Sequence, residues 1–139
     1  MLKVRQITNL DADYPVVSGW WEAHGFPTIP REALSTLGFV VEIVGADGEG
    51  EPVVAGWVYT ASTNALAMME WIVSNPAASP LTVARAIQAL AEVAADECKA
   101  RGYAIVLTAI KLPSLGRVLE RAGFLKQDEG MTHYVKILR

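Results

Sequence analysis

The chain has 139 residues, 52% of them hydrophobic and 19% charged, with a net charge of −3. That length carries one apolar core without staples, and the lone Cys98 excludes an internal disulfide framework or a multi-cysteine zinc site. Lys and Arg are scattered, which argues against nucleic acid as a partner, and no run of about eighteen apolar residues could span a membrane.

Residues 2–7 alternate Leu/Val/Ile with Lys/Arg/Gln, a half-buried strand at period two. The same stretch lacks a signal peptide's apolar run, so the cytoplasm is the expected compartment. Asp11, Asp13 and Pro15 announce a helix whose Val17, Trp20, Trp21 and His24 recur at helical spacing until Gly25. Pro30 to Leu37 suits a short second helix ended by Gly38. Phe39–Val44, the turn-rich 45–50 and 52–60 read as a hairpin, with Gly56 marking a bulge or a close backbone approach. A turn at 62–64 leads into a strand over 66–73.

Ser79 is placed to cap, and Pro80 to open, a long helix running to Arg101, with Gly102 as its left-handed stop. Cys98 lies on that helix's apolar side as a small core residue. The apolar run 104–110 suits a strand covered on both faces. Pro113 opens a last helix with Leu115, Val118, Leu119 and Ala122 inward and Gly123 at its end. Two strands, 124–128 and 131–138, complete the order β-α-α-β-β-β-α-β-α-β-β, an α/β (α+β) mixed sheet in one domain over 1–139.

This order, the segment Glu70-Trp71-Ile72-Val73-Ser74-Asn75-Pro76 entering the long helix, and the helix-end Arg121-Ala122-Gly123-Phe124 resemble the GNAT superfamily of acyl-CoA-dependent N-acetyltransferases. The compact form resembles stand-alone bacterial or phage members. The resemblance implies an antiparallel meander, a crossover helix and splayed parallel strands, with acetyl-CoA as cosubstrate between the splayed strands. It also implies a small-molecule, peptide or protein amine as acceptor, and leaves room for a homodimer. Backbone at Ile72 and Val73 would then hold the pantetheine arm, and an N–H from the segment Trp71 to Val73 would polarise the acetyl carbonyl. Aligning the family's pyrophosphate loop puts Ser79 at its basic or amide position, Thr82 and Ala84 at its small ones, and Arg85 at the following position. Val83 lies within the same contact set. Both expected glycines are absent, so the loop is degenerate.

Acetyl transfer needs a neutral amine, a polarised carbonyl and a stabilised thiolate. Glu70 is the candidate base: a carboxylate among Met and Trp should hold its proton more tightly than usual. The outward-facing strand Glu is the plainer alternative. The position where the family often carries a tyrosine acid is Leu119, leaving Tyr134 or Tyr103 as substitutes, although strand tyrosines more often pack. Trp20 and His24 would help wall the acceptor side, with Trp21 packing inward; His133 is expected to be inert. With two His and one Cys far apart, no metal site is expected. A binding or regulatory protein on the same fold, without catalysis, is the alternative function, and an unrelated α+β structural protein is a third.

Overall fold

Five strands lie side by side in chain order, β1 (Leu2–Gln6), β2 (Leu37–Val44), β3 (Gly50–Thr60), β4 (Leu66–Ser74) and β5 (Ile105–Leu107). The first four pair antiparallel and β5 joins β4 in parallel, as a meander followed by a crossover helix requires. In this computed structural model residues 1–63 and 65–138 are described. Of the turn expected at 62–64, Asn64 therefore lies outside the described residues. Three helices complete the chain: α1 (Leu10–Ala23), α2 (Pro80–Ala100) and α3 (Pro113–Arg121).

The strand pleat sorts the core into two layers. Phe39, Val41, Val58, Ala67 and Met69 face α2 and α3, where Ile87, Leu90, Ala94, Val118 and Leu119 are buried. Val40, Ala55, Trp57 and Val73 face the other way, against Val17, Trp20 and Trp21 of α1. Arg5 fastens α1 to this sheet. Its guanidinium makes two hydrogen bonds to buried Asp13, at 3.0 and 2.7 Å, and donates from Nε to Glu42 on β2 at 2.7 Å. Those bonds, to Asp13 first, keep Arg5 even more firmly protonated than usual.

The helix ends follow the local chemistry. Ser79 caps α2 with Pro80 beside it, and at its far end Gly102 takes φ 90° so that Tyr103 N–H reaches Cys98 O at 3.0 Å. Three expectations fail. Over 30–37 there is only a 3-10 turn at Arg31–Ala33, and Gly38 belongs to β2, because Leu37 and Phe39 bury more surface as strand opposite β3. β5 spans three residues instead of 104–110, and Ile105 (53% exposed) and Leu107 (38%) are not covered on both faces. No strand forms over 124–128 or 131–138, since β5 offers too short an outer edge for a ladder to grow on. Among the described residues no helix is long and apolar enough to cross a membrane.

Two glycines should answer oppositely to alanine. A Cβ on Gly38 would meet Trp57 Nε1 at 2.5 Å and Cδ1 at 2.7 Å, and Trp57 is fully buried. Gly38→Ala should therefore cost about 1–3 kcal/mol. Gly19, inside α1, has nothing within 4 Å of its Cβ direction, so Gly19→Ala should add about 0.5–1 kcal/mol. Urea unfolding of both variants checks the pair.

Candidate active site

β4 and β5 are hydrogen-bonded only at their beginnings, through Leu66↔Ile105, Ala67↔Val106 and Met68↔Leu107. Thr108 Oγ1 then donates to Met69 O at 2.9 Å, and past that bond β4 continues alone to Ser74. The strands part there, leaving the β4 backbone from Glu70 onward without a strand on that side among the described residues. This is the splay that the resemblance implies.

At the same level β4 carries a bulge. Trp57 pairs with Glu70 and Ala55 with Val73, so three steps on β4 match two on β3. Trp71, inside the bulge, is the one non-glycine residue with positive φ, 59°, among those described. Opposite it, Gly56 lets α2 come close: a Cβ there would meet Leu90 Cδ2 at 2.9 Å and Ile72 Cγ1 at 3.3 Å. Both readings of Gly56 apply, with the extra residue on the facing strand.

Glu70 leaves β4 on the Trp57 side and is half-buried. Desolvation raises its pKa above the ordinary carboxylate value, and the nearby His133 draws it partly back. Tyr59, opposite Met68, comes to the same neighbourhood. Its pKa is raised, first by desolvation and also by the Glu70 charge, while hydrogen bonding from the Ser35 backbone and Trp71 side chain opposes this. The Tyr59 hydroxyl donates to Ala33 O at 2.7 Å. Sequence reading missed Tyr59, the positive φ of Trp71 and the proximity of His133. Continuing the hairpin register from Trp57 would have placed Tyr59 two residues along the same face.

The helix entry differs from expectation. Asn75 accepts from Ala77 N–H at its side chain (2.9 Å) and from Ala78 N–H at its carbonyl (3.1 Å). Ser79 accepts from Thr82 N–H at Oγ (3.2 Å) and from Val83 N–H at its carbonyl (2.9 Å). Pro80 has no N–H to give, so Leu81 carries the first backbone N–H of α2. Thr82 and Arg85, three apart on one helical face, line an open recess of about 420 Å³ with Met1, Leu2 and Ile43, at the β1–β2 side of the sheet. Val83, Ala84 and Ile72 pack on the α2-side core, and Val73 is buried on the other.

Of the acceptor-side candidates, Trp20 is 7% exposed and Trp21 3%, so the expected division into one packing and one bordering tryptophan does not hold. Both turn inward because Val17, Trp57 and Val73 complete one apolar cluster with them. His24 is exposed, stacks on Phe26 and sets Nε2 2.8 Å from Ser74 O, joining the end of α1 to the end of β4. Tyr103 packs on the core, Tyr134 is 93% exposed and Leu119 is buried.

No protein-family model matches the chain. No curated protein sequence matches it either. Solved structures do. Ribosomal-protein-alanine N-acetyltransferase from Brucella melitensis superposes with TM-score 0.65 at 13% identity, covering 99% of each chain. Glucosamine-6-phosphate N-acetyltransferase from Arabidopsis thaliana gives 0.61 at 12%, covering 98% of this chain and 99% of that one. N-acetylglutamate synthase from Neisseria gonorrhoeae, complexed with coenzyme A and N-acetyl-glutamate, gives 0.61 at 15% over 87% of this chain. The present chain spans 28% of that protein's length. The chain shares its fold with these acetyltransferases.

Removing the cap tests the helix entry. Ser79→Ala should cost about 1 kcal/mol by releasing Thr82 N–H, and Ser79→Asn should restore most of it. Denaturant midpoints at constant slope report both. Glu70 gives a pH test of the desolvated carboxylate. A raised folded pKa means that its contribution favours the fold below the usual carboxylate range and is lost as pH rises through the folded value. Glu70→Gln should consequently match or exceed the parent's melting temperature at pH 7, and lose that advantage near pH 4.

Proposed function

We propose that this chain is an N-acetyltransferase that moves an acetyl group from acetyl-CoA to a primary amine, with Glu70 as the base. The observation that carries the reading is the parting of β4 from β5 directly beside a half-buried carboxylate whose proton affinity is raised by desolvation. The open β4 edge fits an extended thioester arm, because its peptide groups, without a strand partner on that side among the described residues, match the amides of pantetheine. The loop fits diphosphate less well, with four of its amides already bonded within the chain.

The chemistry follows from those groups. Acetyl-CoA supplies the thioester carbonyl. The ammonium of the acceptor gives one proton to Glu70, directly or through water, and the neutral nitrogen attacks the carbonyl carbon. The C–N bond forms as the C–S bond breaks, the second nitrogen proton passes to the departing sulfur, and the products are amide, thiol and the proton held by Glu70. Positioning contributes much of the rate, which suits a site with no tyrosine at the Leu119 position. Among the candidates at the helix entry, Ser79, Thr82 and the Leu81 amide are the ones offered to phosphate. Arg85 contributes from the β1–β2 side, as a charge and not a direct ligand. His24 acts by holding α1 to the mouth of the site.

A non-catalytic binding or regulatory protein is the second reading, favoured by the internally bonded loop amides and by buried Leu119. Calorimetry with acetyl-CoA and CoA, then thiol release with an amine panel, separates the two. Micromolar binding with amine-dependent release is the result expected of the enzyme; binding without release supports the second reading. Glu70→Gln should lower kcat at least about a hundredfold with cofactor affinity unchanged. Turnover equal to the parent's would take Glu70 out of the mechanism.

A further inference from the structure

The bulge does more to β4 than bend it. In a regular strand Glu70 and Trp71 would point to opposite faces. Here Met69 and Ile72 both pack on the α2 side, three positions apart, and the residue gained between them turns at φ 59°. The Trp71 side chain thereby comes near the Tyr59 hydroxyl, on the face that also carries Glu70. A bulky residue in the left-handed region is strained by about 1–3 kcal/mol. Gly or Asn would sit there without that cost, so a tryptophan is informative.

The exposures sharpen the point. Trp20, Trp21 and Trp57 are buried, whereas Trp71 is 43% exposed and Met68, beside Glu70 on the same face, is 39% exposed. A carboxylate edged by an indole, a phenol and a thioether is a setting for an organic cation: charge meets charge at Glu70 while the ring faces attract the same ammonium. Ala33, whose carbonyl accepts from the Tyr59 hydroxyl, also lines a recess of about 590 Å³ together with Pro30, Glu32, Lys136, Ile137 and Leu138. Its walls are largely apolar, with Glu32 and Lys136 as the charges among the described residues. Arg31, a cation on the same turn, is engaged with Asp11 and lies 5.2 Å over the Tyr14 ring. An acceptor with a carboxylate or phosphate beside its amine would bring a like charge against Glu70, and among the described residues only Lys136 of the recess lining is there to balance it.

We propose that Trp71 is the specificity-determining residue of this site, and that the acceptor is a primary alkylammonium or arylalkylammonium with an apolar body and no anionic group. The ammonium sits between Glu70 and the faces of Trp71 and Tyr59, and the apolar body lies in the recess between the 3-10 turn and the C-terminal segment. This rests on the acetyltransferase reading for its substrate role, but the recognition of the cation does not.

Phenethylamine and phenylalanine make a matched pair of probes, differing by one carboxylate. Acetylation should favour phenethylamine by about tenfold or more in kcat/KM. Trp71→Phe should stay within about threefold of the parent, and Trp71→Gly should raise KM for phenethylamine about tenfold with kcat little changed. The glycine variant should melt at the same temperature as the parent or higher, which separates lost recognition from lost folding. Equal use of phenylalanine, an unchanged KM in Trp71→Gly, or acetylation confined to a peptide lysine flanked by acidic residues would overturn the proposal.

A second measurement needs no cofactor. Trp71 is the exposed indole of the four, so phenethylamine should change its emission saturably, and phenylalanine at equal concentration should not. Should acetyl-CoA fail to bind, the transferase reading falls, and this titration still decides the present one. Saturable change absent from Trp71→Gly supports it; no saturable change refutes it.

Discussion

One extra residue in β4 organises the site. Without it, β4 would run flat between β3 and β5, its edge closed by β5 and its side chains in strict alternation. With it, the strand turns away after Met69, the ladder to β5 stops at Met68–Leu107, and Glu70 and Trp71 come to share a neighbourhood. The bulge needs room behind it as well. Gly56 supplies that room, since only a bare Cα lets Leu90 of α2 press against the sheet where Ile72 is displaced.

Strain at Trp71 persists because the elements around it are not free to relax. On one side lie fully buried Leu90 and Ala91; on the other, Trp57 is fully buried and its ring stands 5.9 Å from that of Trp21. Core truncations of this size typically cost about 2–5 kcal/mol, more than the left-handed turn does, so packing holds the turn in place. Arg5 adds a directional restraint. Its bonds to Asp13 and Glu42 fix the tilt of α1 over β1 and β2, and through His24 the far end of α1 reaches Ser74 at the close of β4. The carboxylate that does the proposed chemistry thus stands on sheet, and the segments around it are tied to that sheet.

Much of this was legible beforehand because the signals were local. Ser79-Pro80, Gly25, Gly102 and Gly123 speak for helix ends through backbone geometry alone, and each helix stops where its glycine stands. Alternation along β1 and the turn residues at 45–50 needed no distant partner to interpret. What failed depended on partners. Residues 131–138 have strand composition but no adequate edge to pair with, and 104–110 looked like a two-sided core strand although little covers Ile105 and Leu107. Glu70 stood out as a charge in an apolar run. Trp71 did not, because an aromatic in a strand carries no sign that its φ is positive, and only the unequal count between Ala55–Trp57 and Glu70–Val73 reveals it.

The internally bonded helix entry bears on cofactor binding in a way that magnitudes can decide. The Ser79 cap is an exposed hydrogen bond of 3.2 Å, and such bonds contribute about 1 kcal/mol net. A phosphate oxygen at the same N-terminus gains up to about 2 kcal/mol from the helix dipole and brings charge-assisted bonds with it. Ser79 Oγ also contacts Thr82 Oγ1 at 2.8 Å, so a displaced cap would leave two hydroxyls able to turn toward the same anion. The Asn75 turn holds Ala77 and Ala78 by bonds of the same modest kind. A loop closed by exchangeable bonds can open to a stronger acceptor at little cost. Under the proposed function, the absence of loop glycines therefore bears on how closely the backbone would approach a diphosphate more than on whether one would bind.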